Sequence, residues 1–154
     1  MLILGIDPGI AITGYGLLEC GDDNIKIVAS GSIQTSKNKS VQERLAELYD
    51  DIQEIIKTYK PDVAAIEQLF YFKNLKTVIP VAQARGVIIM ALAQNDVQLA
   101  EYTPLQVKQT ITGFGRATKD EVKQMAALAL NQEMPKLDDT VDAIAIALCH
   151  YRFV

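Results

Sequence analysis

Two short apolar runs in this chain each end on a carboxylate, and that pairing constrains the fold more than any other feature. Leu2-Ile3-Leu4-Gly5-Ile6 runs into Asp7, and Val63-Ala64-Ala65-Ile66 runs into Glu67. Short runs without polar interruption, bounded by Pro8-Gly9 and by Pro61-Asp62, read as strands buried on both faces. A carboxylate at the end of such a strand is costly unless something positive sits beside it. Asp139 and Asp142 add two more acids at the start of a strongly apolar segment near the C-terminus. If the two strands are neighbours and that segment packs against them, the acids crowd. At about 5 Å and an effective dielectric of about 20, each ionised pair repels by roughly 3 kcal/mol. A hard divalent cation with oxygen ligands relieves that repulsion, and Mg²⁺ binds in this manner. The pattern points to metal-dependent phosphodiester chemistry.

The rest of the chain supplies a framework for such a site. Thr13 to Cys20 reads as a second strand, Gly21-Asp22-Asp23-Asn24 as a hairpin turn, and Ile25 to Ile33 as a third strand. Ser40 opens an amphipathic helix with Val41, Leu45, Leu48, Ile52, Ile55 and Ile56 on one face, ended by Pro61-Asp62. A further helix is expected from Thr77, as N-cap, to Gln94, with Pro80 in its first turn. Val97 to Tyr102 is a short fifth strand, and Thr103-Pro104 starts a helix that the Gly113-Phe114-Gly115-Arg116 loop breaks. Thr118-Lys119-Asp120-Glu121 forms a capping box for the next helix, which Pro135 should end. A last helix is expected from Asp139 to Tyr151. The expected fold is α/β, one domain over residues 1–154. Three antiparallel strands plus α-connected parallel strands make a mixed five-stranded sheet with helices on both faces.

Composition bounds the function. At 49% hydrophobic and 22% charged residues the chain is that of an ordinary globular protein. Its most apolar stretch, Val78 to Ala93, is interrupted by Arg85 and too short for a membrane span. The N-terminus has no basic lead, so no secretory signal is expected. Cys20 and Cys149 lack any pairing or metal-ligand spacing, which suits packed thiols in a reducing cytoplasm. The net charge of -4 argues, taken alone, against a nucleic-acid partner. The distribution argues the other way. Between Gln68 and Asn95 there is no acid but Lys73, Lys76 and Arg85, and between Tyr102 and Lys119 there is no acid but Lys108, Arg116 and Lys119. A buried helix would explain the first stretch equally well, and each lysine could be a solvated face.

Gly5-Ile6-Asp7-Pro8-Gly9 with Thr13-Gly14-Tyr15-Gly16 resembles the first motif of the RuvC Holliday junction resolvases, members of the RNase H-like superfamily. Ile66-Glu67-Gln68, followed by Phe70 and Lys73-Asn74, resembles the second. Gln83-Ala84-Arg85-Gly86, Gln106-Val107-Lys108-Gln109 and Gly113-Phe114-Gly115 recur in order, and Asp139-Thr140-Val141-Asp142-Ala143 resembles the final D-x-x-D-A motif. That spacing selects Asp139 as the motif acid, with Asp138 as the alternative. The resemblance spans nearly the whole chain. It implies an RNase H-like fold and a cytoplasmic homodimer that cuts two like-polarity strands of a four-way junction symmetrically. It also implies Mg²⁺ dependence, 5′-phosphate nicks, cooperation with the RuvA–RuvB branch-migration complex, and a role in DNA recombination and repair.

On this reading Asp7, Glu67, Asp139 and Asp142 are catalytic and hold metal, expected as two Mg²⁺ ions about 3.5–4 Å apart with Mn²⁺ as a substitute. Asp7 would bridge the ions, Glu67 and Asp142 would each hold one, and Asp139 would complete a shell or act through water. Each acid also has a local explanation: Asp7 in a turn, Asp139 as an N-cap, Asp142 as a first-turn acid. Phe70 is the candidate wedge for unpaired bases, although members of Phe70-Tyr71-Phe72 could be core. Lys73, Lys76, Arg85, Lys108, Arg116 and Lys119 are candidate DNA contacts. His150 reads as a packed helix residue. The rivals are an RNase H-like nuclease for hybrids or flaps, a non-catalytic junction-binding scaffold, and an actin-like ATPase, for which the chain is short.

Overall fold

Strands β1 (Leu2–Asp7), β2 (Ile12–Cys20) and β3 (Ile25–Gln34) lead into helix α1 (Val41–Tyr59) and strand β4 (Val63–Glu67). Then follow α2 (Leu75–Gln94), β5 (Gln98–Tyr102), α3 (Pro104–Thr112), α4 (Lys119–Leu130) and α5 (Asp138–Phe153). The computed structural model describes residues 1–21, 24–69 and 75–154, with the side chains of 75–77 also outside the description. The five strands form one sheet in the order β3-β2-β1-β4-β5. β1 pairs antiparallel with β2, and β2 with β3, whereas β1–β4 and β4–β5 are parallel.

The register explains the two apolar runs. Ile6 lies opposite Ile66, so Asp7 and Glu67 come next on adjoining parallel strands. Alternate side chains feed two cores. Leu4, Ile6, Ala64 and Ile66 pack with Leu48, Ile52, Ala84 and Ile88 of α1 and α2. Ile3, Val63 and Ala65 pack with Val107, Val122 and the length of α5. Strands covered on both faces need apolar residues at every position, which is why β1 and β4 show no alternation.

Three helices start as their sequences dictate. Ser40, Thr103 and Thr118 each accept a bond from the N3 backbone N–H, and Glu43, Gln106 and Glu121 return the capping-box bond. Other boundaries differ from expectation. α2 begins at Leu75, so Thr77 is not its N-cap and Pro80 lies beyond the first turn, inside the helix. Leu75 and Lys76 are good helix formers, and they carry the helix upstream of the proline. α4 ends at Asn131, in the left-handed conformation with φ 49°, four residues before Pro135. Asn tolerates that conformation and stops the helix without the proline. α5 begins at Asp138, with Leu137 at the N-cap and no side-chain cap bond, so Asp139 does not cap the helix.

α5 is buried on nearly every side, from Thr140 to His150, and crosses β1 and β2 at very short range. Gly5 and Gly14 permit this. A Cβ on Gly5 would stand 2.0 Å from the Ala143 carbonyl oxygen, and one on Gly14 would stand 2.0 Å from that of Asp139. Both obstacles are backbone and cannot rotate away. Gly5→Ala is therefore expected to destabilise the fold by roughly 3 kcal/mol, at the upper end of overpacking costs. Urea unfolding of the variant beside the wild type measures this, and an unchanged midpoint would disprove the close contact.

Candidate active site

β1 and β4 end side by side, which brings the Asp7 and Glu67 carboxylates to one edge of the sheet. The glycine-floored crossing lays the first turns of α5 over that edge and adds Asp142. A cleft of about 360 Å³ results, lined by Asp7, Glu67 and Asp142 together with Lys108 of α3 and Lys119 of α4. Pro104, Val107, Val122, Ala145 and Ile146 form its apolar floor.

Burial and mutual repulsion govern the charges. The Asp7 carboxyl is pushed up from its ordinary 3.8 to about 7, chiefly by burial, then by the negative charges of Glu67, Asp142 and Asp139, with Lys119 opposing. Glu67 is also raised, by burial and by Asp142, against the pull of Lys119 and Lys108. The Lys119 ammonium donates to Asp142 Oδ2 at 2.8 Å, and that bond is the main reason its own pKa rises. Asp139 does not line the cleft, yet its charge acts on Asp7, and that of Asp138 acts on Lys119. The turn after Asp7 is tied by Thr13, whose hydroxyl donates to the Gly9 carbonyl at 2.6 Å. Among the described residues, no three His, Cys, Asp or Glu side chains stand close enough to hold a metal ion as placed.

The candidates from sequence therefore separate. Asp7, Glu67, Asp142, Lys108 and Lys119 share the cleft, and Asp139 borders it electrostatically. Arg116 is exposed in the loop between α3 and α4. Arg85 stands apart: its guanidinium is ion-paired with Glu101 and only 18% exposed. Phe70 and Lys73 lie outside the described residues, as does the side chain of Lys76. His150 is buried with Nδ1 2.7 Å from the Tyr102 hydroxyl, and burial lowers its proton affinity. Sequence reasoning missed the apolar floor. The signal was present in the i, i+3, i+4 spacing of Pro104, Val107 and Lys108, which puts all three on one helix face.

Carboxylates at the ends of the two adjoining central strands of a mixed sheet, reinforced by a helix that crosses them, mark the RNase H-like class of nucleases. A family model described as "Crossover junction endodeoxyribonuclease RuvC" matches residues 3–150. A relative of that name from Fusobacterium nucleatum subsp. nucleatum is 52% identical over 151 residues, covering 97% of this chain and 80% of the relative. One from Caldicellulosiruptor saccharolyticus is 50% identical over 152 residues, covering 97% and 92%. The solved structure of Thermus thermophilus RuvC in complex with Holliday junction substrate superposes with a TM-score of 0.93 at 30% identity, covering 99% of this chain and 94% of that one. The yeast mitochondrial Holliday junction resolvase shares the fold, with a TM-score of 0.69 at 16% identity. This chain belongs to the RuvC family of crossover junction endodeoxyribonucleases.

The raised pKa of Asp7 makes stability depend on pH. Below about pH 4 the native and unfolded states both hold the proton, and Asp7 contributes nothing. Between 4 and 7 the native state keeps a proton that the unfolded chain has released, so stability falls as pH rises. Asp7→Asn is expected to stabilise the metal-free protein by a few kcal/mol at pH 8, the gain shrinking towards pH 4. Thermal melts in chelator across that range test it; a gain independent of pH would show that Asp7 titrates normally.

Proposed function

We propose that this chain resolves four-way DNA junctions by hydrolysing one phosphodiester bond in each of two strands, with Asp7, Glu67, Asp139 and Asp142 as its catalytic carboxylates. The observation that carries this is the meeting of three of those acids with two lysines in one cleft at the strand ends. The donor set is all oxygen and underneutralised, and it holds Asp7 partly protonated near neutral pH. That suits a hard divalent cation in kind. Two Mg²⁺ ions, or Mn²⁺ as a substitute, would be held by the four acids and would supply charge neutralisation at the phosphate and a water of lowered pKa.

The chain's own residues do the remainder. Lys108 and Lys119 meet the phosphate flanks, and the apolar floor limits water beside the charged groups. Arg116 reaches the backbone of an arm. Phe70 serves as the wedge against unpaired bases, with Lys73 and Lys76 on nearby phosphates. The products carry 5′-phosphates. Cutting two strands symmetrically requires two such sites, hence a homodimer. The outward face of α2 is the proposed contact, because Ile79 and Met90 are 58% and 55% exposed there. The junction arrives through the RuvA–RuvB branch-migration complex in the cytoplasm, and no described helix is long and apolar enough to cross a membrane.

The decisive experiment is cleavage of a mobile four-way junction with Mg²⁺ beside a linear duplex, an RNA–DNA hybrid and a flap. Paired symmetric nicks in the junction alone are expected. Asp7→Asn should abolish them and leave junction binding within about twofold, because phosphate contacts dominate affinity. Cutting by that variant would move the active site elsewhere, and binding without cutting by the wild type would indicate a scaffold. Separately, Ile79→Asp with Met90→Asp should convert dimer to monomer in sedimentation velocity; an intact dimer would place the contact on another face.

A further inference from the structure

The bond between Lys119 and Asp142 is out of keeping with helix energetics. Lys119 is the first residue of α4, where the helix dipole disfavours a cation. Thr118 and Glu121 complete the capping box without it, so the helix start does not depend on a positive charge. The side chain is 68% exposed, yet it spans to α5 and donates to Asp142 Oδ2 at 2.8 Å. Its charge also reaches Asp7. One ammonium thus faces carboxylates from two other elements, and it neutralises part of the charge that would attract a metal.

We infer that Lys119 is a built-in counter-ion of the metal-free site, which holds the Asp142 carboxylate until a divalent cation takes it and is then released towards the DNA backbone. The inference rests on the proposal that these acids hold metal. A doubly charged ion interacts more strongly with the clustered acids than a single ammonium on a solvated stem does. The exchange therefore favours the metal, because the ammonium holds Asp142 by one oxygen and competes with a cation for the carboxylate's charge. The same exchange couples the two ligands: cation binding frees a phosphate contact, and by reciprocity an occupied phosphate contact leaves Asp142 open to the cation.

The test is Mn²⁺ binding to the DNA-free protein by titration calorimetry, for wild type, Lys119→Met and Lys119→Arg. Thermal melting confirms that each variant is folded. Lys119→Met should bind Mn²⁺ about two- to fivefold more tightly, the scale on which a partly exposed ion pair competes. Lys119→Arg keeps the charge and should match the wild type. Unchanged or weaker binding by Lys119→Met would overturn the counter-ion role alone. Absence of Mn²⁺ binding by all three would overturn the metal-site proposal and this inference together.

Discussion

The close crossing of α5 over β1 and β2 is the contact on which the rest of the molecule depends. Helix and sheet usually stand about 10 Å apart, separated by two layers of side chains. Here the backbone of α5 rests on Gly5 and Gly14, and at those positions the sheet contributes no side chain. The gain is reach. Asp142 is a short side chain on a helix, and it joins Asp7 and Glu67 only because the helix lies that low. The cost is a position that accepts no side chain at Gly5, with no flexible neighbour to make room.

Burying like charges is the second constraint, and it works against the first. Each element that delivers a carboxylate does so by apolar packing, through Ile6, Ile66 and Ile144 beneath the acids. The packing then strips water from the groups it positions, which raises Asp7 and Glu67. Such a site is strained in its metal-free form, and stability is given up where function requires it. Lys108 and Lys119 offset part of that strain. They come from helices capped by Thr103 and Thr118, which fix the backbone positions from which the two ammonium groups reach the cleft.

Much of this was legible in the sequence, for identifiable reasons. The strand ends were readable because apolar runs buried on both faces stop abruptly at an acid. The three N-caps were readable because a capping box is a local signal four residues long. Boundaries without local signals were not: α2 extends upstream of Thr77 with Pro80 inside it, and α4 stops at Asn131, whose left-handed backbone returns its N–H to the Ala127 and Leu128 carbonyls. Of the four acids that the motif order singles out, Asp7, Glu67 and Asp142 line one cleft, and Asp139 acts on Asp7 by its charge from outside that lining. Charge in sequence said nothing of who pairs with whom. Arg85 and Lys119 both read as DNA contacts, yet one is tied to Glu101 across α2 and β5 and the other to Asp142 across α4 and α5.

Those two pairs differ in what can break them. Arg85 is largely buried, with its Nε lacking a partner, so separating it from Glu101 would expose an uncompensated charge to an apolar surface. Lys119 is two-thirds exposed, and water receives its ammonium at little cost once Asp142 is taken. The cleft lining carries three carboxylates against two ammonium groups, and Asp139 adds to the excess. Burial holds a proton on Asp7 near neutral pH and trims that surplus, and a cation at the acids would offset the rest where a phosphate enters.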